Sequence, residues 1–252
     1  MKTSRRDCQV LWYDHADMRS PTSLSVLVPI YNESATIERL LNLVVAVETG
    51  LTVEVLACDD GSTDGTREIL AKLTLPGLRV IFMDQNVGRG GVIKHLWRMA
   101  KVDILVHQDA DLEYNPQDYI HMLEPLLAER ADVVYGSRFK GSIEGMRFVN
   151  RIGNLFMTAS ARTLYGVNVS DLMTCYKMYR SSLINGMHIA ANGFDFEAEF
   201  TARLAQRGAR FAEVPVSFSG RTFEEGKKIR AFDAVRVMRE LIRCKVTSEA
   251  NV

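Results

Sequence analysis

The sequence predicts one α/β domain in which helices cover both faces of a mostly parallel central sheet. Five apolar runs alternate along the chain with stretches of helical periodicity, the order expected of repeated strand–helix units. The runs are apolar almost without interruption, which is typical of strands buried on both faces of a parallel sheet. Hydrophobic residues make up 47% of the 252 residues, enough for a core of that size.

Each predicted element has its own signal in the sequence. The strands are runs rich in β-branched residues, at 24–31, 53–60, 78–85, 103–110 and 131–138. Helical periodicity predicts helices at 35–48, 64–73 and 90–100, and further along the chain at 147–166 and 196–208. Gly208 stands where a helix C-cap is expected. The run 209–219 contains a proline, which predicts an edge strand.

The chain divides into three predicted segments. Residues 1–22 are mixed and polar and form an N-terminal arm, residues 23–230 form the α/β domain, and residues 231–252 form a C-terminal amphipathic helix and tail. That helix alternates basic and apolar residues, so it either lies on an anionic membrane or packs its apolar side on the domain.

Composition excludes several classes of protein. Lys plus Arg and Asp plus Glu are equal at 31 each, so no overall charge favours nucleic acid. The cysteines are Cys8, Cys58, Cys175 and Cys244, and their lack of a CxxC pair argues for free thiols and against zinc. The first residues lack a signal peptide's apolar core, and no apolar run reaches the roughly 18–20 residues that span a bilayer. We therefore expect a cytoplasmic protein, with at most peripheral contact to the cytoplasmic face of a membrane.

Polar motifs follow the predicted strands at their C-terminal ends. They read YNE, DDGSTDGT, QNVGRGG, DADLE and GSRF in chain order. In open α/β sheets ligands bind in the crevice at these ends. The five loops therefore predict one binding site.

The acidic loop after the fourth strand predicts a metal site. Asp109, Asp111 and Glu113 are two residues apart and would repel one another without a cation between them. Carboxylate oxygens beside a diphosphate are typical ligands of Mg²⁺, and Mn²⁺ takes the same ligands. The alternative, a turn capped before Asn115, does not account for the third carboxylate.

The other loops predict contacts with a nucleotide. Asp60 ends the second strand, where an acid can accept a bond from a ribose hydroxyl or a base N–H, although the loop also reads as a capped turn. Tyr31 and Glu33 lie in the first loop, where a base pocket would form. Arg89 begins a helix after glycine, a position that favours phosphate.

In this order and spacing, the motifs PIYNE, DDGSTDGT, NVGRGG, QDADLEYNP and GSRF resemble family 2 glycosyltransferases of the GT-A fold. NRIGN, DLMTCYKMYR, GFDFEAEFTARL, EVPVSF and GRTFEEGKKI look like the dolichyl-phosphate mannose synthase branch, which includes other polyprenyl-phosphate sugar transferases. The resemblance covers residues 24–230. Two positions depart from the family: Glu113 stands where members often have Gln, and EEGKK replaces their usual G-x-S-K.

The resemblance implies a role for each matching position. The implied contacts of the nucleotide sugar are Pro29, Tyr31, Glu33, Asp60, Asp109, Ala110 and Lys227, to which the helix start adds Arg89. Asp111 and Glu113 would hold the metal, with Asp109 beside them. Arg138 and Arg151 would face the acceptor phosphate. Asp111, Arg138 and Arg221 are the residues expected to act in catalysis.

The implied reaction is metal-dependent, inverting transfer of a hexose from a GDP-mannose or UDP-glucose type of donor to a polyprenyl or dolichyl phosphate. A largely dianionic phosphate acceptor needs no general base. Phe156 and Met157 would contact its prenyl chain or belong to the core.

Three alternatives remain open. In the first, a soluble family 2 enzyme transfers to a hydroxyl, with Glu197 or Glu199 as base, unless Glu199 pairs with Arg203 one helical turn on. The second is a nucleotidyltransferase, which would release pyrophosphate from a nucleoside triphosphate. The third is a sugar-nucleotide binding module without activity.

Overall fold

The structure is a computed structural model, and it describes residues 20–146, 148–221 and 231–247. Nearly all of the predicted N-terminal arm lies outside these residues, as do Cys8 and Lys227. Within them the chain forms nine strands and seven α-helices.

The strands are β1 (Ser23–Ile30), β2 (Thr52–Asp59), β3 (Leu78–Phe82), β4 (Ile104–His107), β5 (Val133–Ser137), β6 (Ile143–Glu144), β7 (Lys177–Arg180), β8 (Phe211–Pro215) and β9 (Phe218–Ser219). The helices are α1 (Ile37–Val45), α2 (Thr66–Lys72), α3 (Arg89–Trp97), α4 (Tyr119–Leu127), α5 (Phe148–Tyr165), α6 (Phe196–Gln206) and α7 (Ala231–Val246). Every strand and helix predicted above has a counterpart. The strand expected over 103–110 is shorter, because the chain leaves the sheet before its acidic residues.

Seven strands form one sheet in the order β3-β2-β1-β4-β7-β5-β8. β1 pairs in parallel with β2 and β4, and β5 pairs in parallel with β8. β7 lies antiparallel between β4 and β5, and it has no counterpart among the predicted strands. The mostly parallel sheet is confirmed. β8 lies at the edge, as its proline predicts.

Helices cover both faces of the sheet. Alternate residues of each strand point to opposite sides, so strands that are apolar throughout have two apolar faces to bury. Leu41 of α1 and Met122 of α4 pack with Val26 of β1 on one face. Val92 of α3 and Phe200 of α6 pack with Leu27 of β1 on the other. The predicted two-sided burial is confirmed.

The strand order determines where the site forms. β4 lies beside β1, and β2 lies on the other side of β1, so the carboxyl ends of these three strands are neighbours. A separate pair, β6 and β9, lies near them: Tyr114 bridges to Phe218, and the Ser219 N–H donates to the Glu113 carbonyl at 2.9 Å. This pairing brings residues 218–221 to the acidic loop.

The C-terminal helix packs on the domain. Val237, Leu241 and Cys244 of α7 are at most 1% exposed, and the first two belong to the core between α7, α5 and α6. The Tyr165 hydroxyl donates to the Leu241 carbonyl at 2.6 Å. Of the two alternatives for this helix, packing is therefore the one observed. Among the described helices, none combines the length and apolar character needed to cross a bilayer.

Candidate active site

The loops after β1 and β2 are joined into one rim. Asn32 has a left-handed φ of 55°, and its Oδ1 accepts a bond from the Thr63 N–H at 2.9 Å, while its own N–H donates to Ser62 Oγ at 2.9 Å. Tyr31, at 38% exposure, lies beside this turn, and Pro29 precedes the last residue of β1. Their contact with the nucleoside stays a prediction.

Asp60 binds a neighbouring loop of the protein. Its two carboxylate oxygens accept bonds from the Val87 and Gly88 N–H groups at 2.7 and 2.9 Å. Burial raises the pKa of Asp60 above its ordinary value, and these two bonds oppose the rise. Only glycine fits at position 88, where φ is 83° and a Cβ would meet the Asn192 carbonyl oxygen at 2.6 Å. A carboxylate thus lies at the start of α3, where the sequence predicts a phosphate.

Arg89 belongs to a row of alternating charges under the acidic loop. Its Nε donates to Asp109 Oδ1 at 2.9 Å, and its Nη1 bonds to Glu197, which also bonds to Lys177. The side chains of Glu197 and Lys177 are at most 2% exposed. The sequence predicts a phosphate contact for Arg89; in the structure this guanidinium orients Asp109.

The acidic loop holds three carboxylates close together in a largely buried setting. Leu112 adopts a left-handed φ of 61°, and the Glu113 N–H donates to Asp111 Oδ1 at 3.1 Å. Burial, with the charges of Asp109 and Glu113, raises the pKa of Asp111 to about 7, and Arg221 opposes the rise.

Arg221 is a second cation that reaches this loop, besides Arg89 at Asp109. Its Nη1 and Nη2 bond to the two oxygens of Glu33 at 2.8 and 3.0 Å, and Nη2 also bonds to Asp111 Oδ2 at 3.2 Å. Its backbone N–H donates to Glu113 Oε1 at 2.8 Å. The structure therefore brings together Glu33, Asp111, Glu113 and Arg221, which are 188 positions apart at the extremes.

The acidic loop fits a Mg²⁺ or Mn²⁺ ion. Asp111 and Glu113 offer hard oxygen ligands and Asp109 lies beside them, the donor set that these ions prefer. Burial and the neighbouring carboxylates both disfavour the charged form of Asp111, and a divalent cation bound there would favour it.

Arg138 is held by an acid that the sequence analysis does not single out. Its Nε and Nη2 bond to the two oxygens of Asp171 at 2.7 and 2.8 Å, and Asn154 donates to the same carboxylate at 2.5 Å. Arg138 is 8% exposed and Asp171 is fully buried. This geometry lets Asp171 hold Arg138 in place at the start of the loop after β5, and the contact of Arg138 with the acceptor phosphate and its part in catalysis stay predictions.

The remaining predicted residues lie in different settings. Arg151 is exposed on α5, with its guanidinium carbon 5.8 Å from the centre of the Phe139 ring. Ala110 is 4% exposed, and its carbonyl accepts a bond from Thr36 Oγ1 at 2.8 Å. Arg151 remains a predicted phosphate contact.

Neither predicted general base is available in this structure. Glu197 and Glu199 are each 1% exposed. Glu199 lies 3.5 Å from Arg203 and 2.7 Å from Arg243, so the predicted ion pair with Arg203 is confirmed. Glu197 is engaged by Arg89 and Lys177.

Sequence analysis overlooked Asp171 and Lys177, which hold site residues in place. Both lie in DLMTCYKMYR, and both are fully buried. The sequence signal that could have identified them is that Asp171 and Lys177 flank a short, mainly apolar stretch. A charged side chain buried beside such a stretch needs a partner of opposite charge.

Comparison with known proteins identifies the fold and the family. The family model described as glycosyl transferase family 2 matches residues 25–186. A dolichyl-phosphate hexose transferase of Haloferax volcanii is 32% identical over 201 residues, 80% of this chain and 85% of that protein. An undecaprenyl-phosphate mannosyltransferase of Micrococcus luteus is 30% identical over 215 residues, with the same two coverages. The chain spans from 64% to 85% of the length of the curated relatives compared.

Solved structures share the fold at lower sequence identity. Glucosyl-3-phosphoglycerate synthase from Mycobacterium tuberculosis, in complex with Mn²⁺, UDP and phosphoglyceric acid, aligns with a TM-score of 0.68 and 21% identity. The alignment covers 89% of this chain and 78% of that one. The central sheet and its helices are therefore those of the GT-A fold.

Proposed function

The chain belongs to glycosyl transferase family 2, and on that premise we propose that it moves a hexose from a nucleotide sugar to a polyprenyl phosphate with the help of a divalent cation. The observation that carries this proposal is the group of carboxylates around Arg221 at the ends of β1 and β4. The two relatives described above, whose names specify dolichyl and undecaprenyl phosphate, support the choice of acceptor.

The donor would lie across the rim formed by the loops after β1, β2 and β4. Tyr31 and Pro29 would contact the nucleoside, and Asp109, oriented by Arg89, would accept bonds from the ribose. Asp111 and Glu113 would hold Mg²⁺ or Mn²⁺. That ion, when bound, supplies Lewis-acid neutralisation of the diphosphate leaving group.

Arg221 would add charge-assisted hydrogen bonds to the diphosphate. Its present partners, Glu33 and Asp111, are bonded at 2.8–3.2 Å and show that its guanidinium reaches the acidic loop. A guanidinium aimed where negative charge develops lowers the barrier of the transfer step.

The acceptor phosphate would approach from the side of Arg151. Its second pKa lies near 6, so it is largely dianionic at neutral pH and attacks without a general base. A single displacement inverts the anomeric configuration, from an α-linked donor to a β-linked product. A hydroxyl acceptor would require a base, and Glu197 and Glu199 are both held in buried ion pairs.

The test is transfer of labelled sugar into an organic-extractable product. The purified chain is incubated with UDP- or GDP-hexose, a polyprenyl phosphate and Mn²⁺, and the organic phase is analysed by mass spectrometry. We expect a polyprenyl-phosphate hexose with the wild type and a large loss with Asp111→Asn. Product formed only on a hydroxyl acceptor, or release of pyrophosphate from a nucleoside triphosphate, would refute the proposal.

A further inference from the structure

A group of buried polar and aromatic side chains brackets the acidic loop. Its members are at most 3% exposed, and we call them the tyrosine–glutamine cluster: Gln108, Tyr114, Tyr119 and Tyr176. Gln108 comes directly before the first acid of the loop, and Tyr114 comes directly after the last. The cluster therefore includes both ends of the segment that carries the three carboxylates.

The Gln108 side chain is bonded at both ends of its amide. Its Nε2 donates to the Asp109 carbonyl at 2.9 Å, and its Oε1 accepts bonds from the Tyr119 and Tyr176 hydroxyls at 2.5 and 2.6 Å. Because a carbonyl can only accept, the bond to Asp109 decides which way the amide faces, and both hydroxyls must donate. Gln108 is fully buried, so a bond lost here would not be replaced by water.

Tyr176 contacts both ends of the acidic loop. Its hydroxyl bonds to Gln108, and its ring stacks on the Tyr114 ring, with the centroids 4.4 Å apart and the planes inclined by 21°. The Tyr114 hydroxyl in turn accepts a bond at 3.2 Å from the N–H of Cys175, the neighbour of Tyr176 in the chain. One side chain thus fixes the separation between the two ends of the loop.

Tyr176 is itself attached to the sheet. Its carbonyl accepts a bond from the Gly136 N–H of β5 at 2.9 Å, and Thr174 Oγ1 donates to the Gly136 carbonyl at 2.6 Å. A Cβ at position 136 would lie 3.0 Å from the Cβ of Tyr176, so glycine permits this close approach. Tyr176 therefore holds the acidic loop relative to a strand of the sheet.

The cluster also supports the segment that carries Arg221. The Tyr114 ring meets the Phe218 ring edge-on, with the centroids 5.2 Å apart, and the two residues form a β-bridge. Phe218 belongs to β9 and precedes Arg221 by three residues. A displaced Tyr114 would consequently shift both the carboxylates and the guanidinium that faces them.

We propose that Tyr176 is a positioning residue for the acidic loop. Through Gln108 and Tyr114 it would hold the ends of the loop so that Asp111 and Glu113 can bind one divalent cation. Tyr176 itself would touch neither the ion nor the donor. The part of this inference that concerns the metal rests on the proposed function, whereas the ordering of the loop does not.

A buried tyrosine hydroxyl can also serve stability alone, and Tyr135 provides the comparison. It is as buried as Tyr176, and its hydroxyl bonds to Thr201 Oγ1 at 2.6 Å, the same length as the bond from Tyr176 to Gln108. Tyr135 belongs to the core on the opposite face of the sheet. Tyr135→Phe and Tyr176→Phe therefore remove matched bonds and keep both rings, but only the second reaches the acidic loop.

The test compares these two variants with the wild type in two measurements. Hydrogen–deuterium exchange with mass spectrometry follows the amides of residues 108–114, without metal or donor. Electron paramagnetic resonance measures the affinity for Mn²⁺. Gln108→Met, which removes both tyrosine bonds at similar side-chain length, is the second variant and decides if Tyr176→Phe does not fold. Thermal melting shows which variants are folded.

We expect Tyr176→Phe to speed exchange over residues 108–114 and to bind Mn²⁺ about 10- to 100-fold more weakly, the loss typical when a group that orients metal ligands is removed. Gln108→Met should act in the same direction. Tyr135→Phe should leave the exchange of the loop and the Mn²⁺ affinity unchanged, even if its melting temperature falls.

Wild-type exchange and affinity in Tyr176→Phe would overturn the inference, as would equal changes in Tyr135→Phe. Faster exchange with unchanged Mn²⁺ affinity would also overturn it, because Tyr176 would then serve stability alone. A wild type that binds no Mn²⁺ would refute the metal part of the proposed function. In that event faster exchange in Tyr176→Phe still supports the ordering of the loop, and unchanged exchange refutes it.

Discussion

At the scale of single residues, the site depends on how a few charges are compensated. Burial, together with the charges of Asp109 and Glu113, raises the pKa of Asp111 to about 7, and Arg221 opposes the rise. Below the loop, Arg89 and Lys177 alternate with Asp109 and Glu197. Each charge therefore has an opposite charge as its neighbour, and the removal of one leaves another uncompensated.

Removal of the Arg221 charge should strengthen metal binding in the absence of donor. Arg221 and a divalent cation would contend for the Asp111 carboxylate, which Arg221 now bonds at 3.2 Å. A charge-assisted bond contributes about 1.5–3 kcal/mol, so Arg221→Gln should bind Mn²⁺ roughly tenfold more tightly. Electron paramagnetic resonance measures free Mn²⁺ directly. Arg151→Gln is the control, with unchanged affinity, and weaker binding by Arg221→Gln would contradict the competition.

The buried pair of Lys177 and Glu197 should contribute strongly to stability. Lys177 is fully buried, and burial lowers its pKa below the ordinary value while Glu197 opposes that shift. Lys177→Met leaves the buried Glu197 charge with Arg89 alone, at a cost of about 3–5 kcal/mol. Urea denaturation measures the loss. Arg130→Met, which breaks an exposed pair with Glu124, should cost less than about 1 kcal/mol, and equal effects would refute this account.

Asp64 should make stability depend on pH in the acid range. Although burial by itself raises its pKa, hydrogen bonds from Thr66 and Ser34 lower the pKa from 3.8 to about 2. Because the folded pKa is the lower one, the stabilisation is complete above about pH 4 and disappears as the pH falls towards 2. Asp64→Asn should therefore melt below the wild type at pH 7, with a gap that closes near pH 2. A gap independent of pH would exclude this linkage.

At the scale of elements, short segments position residues from distant parts of the sequence. β9 and the bridge between Tyr114 and Phe218 carry Arg221 to the loop after β4. α6 supplies Glu197 from its first turn, and β7 supplies Lys177 from its first residue. α7 packs over α5 and α6 and pairs Arg243 with Glu199.

Adjacent residues of α7 should differ sharply in their effect on stability. Leu241 is fully buried and Ile242 is 55% exposed. Leu241→Ala removes buried apolar atoms and leaves a cavity, at a cost of about 2–5 kcal/mol. Ile242→Ala should change the free energy of unfolding by less than about 0.5 kcal/mol. Similar losses in chemical denaturation would show that α7 does not pack as described.

At the scale of the whole molecule, one sheet gathers the loops into a single site. The order β3-β2-β1-β4 brings four loop-bearing carboxyl ends side by side, and β7 separates them from β5 and β8. A ligand held by several of these loops binds the folded chain and not the unfolded one. Ligand binding should therefore stabilise the entire domain.

Mn²⁺ together with a nucleoside diphosphate should raise the melting temperature, and a chelator should reverse the rise. At a ligand concentration about 100 times Kd, the gain is about 2.7 kcal/mol, or about 5–10 °C for a chain of this length. Differential scanning fluorimetry with UDP and GDP measures it. In Asp111→Ala the addition of Mn²⁺ should cause no further rise in melting temperature. A rise equal to that of the wild type would exclude Asp111 as a metal ligand.

The sequence by itself determined the positions of the polar loops and most of the elements, though not α4, β6 or β7. Strands and helices follow from local periodicity. Loops at the carboxyl ends of parallel strands converge at one edge of the sheet even when the exact angles between the strands are unknown. It also identified the acidic loop and Arg221, because motifs of this length are specific to a family. The sequence did not show which of Phe156 and Met157 is buried. Adjacent residues of a helix point in different directions, and the elements packed against the helix decide which of them enters the core.

Only the tertiary structure decided which charges meet. Arg138 faces Asp171, Asp60 binds the loop before α3, and Glu197 is enclosed by Arg89 and Lys177. These partners lie between 20 and 108 positions apart, and a hydrogen bond requires atoms within about 3 Å. Such proximity depends on the order of strands and the packing of helices, which local sequence patterns do not encode.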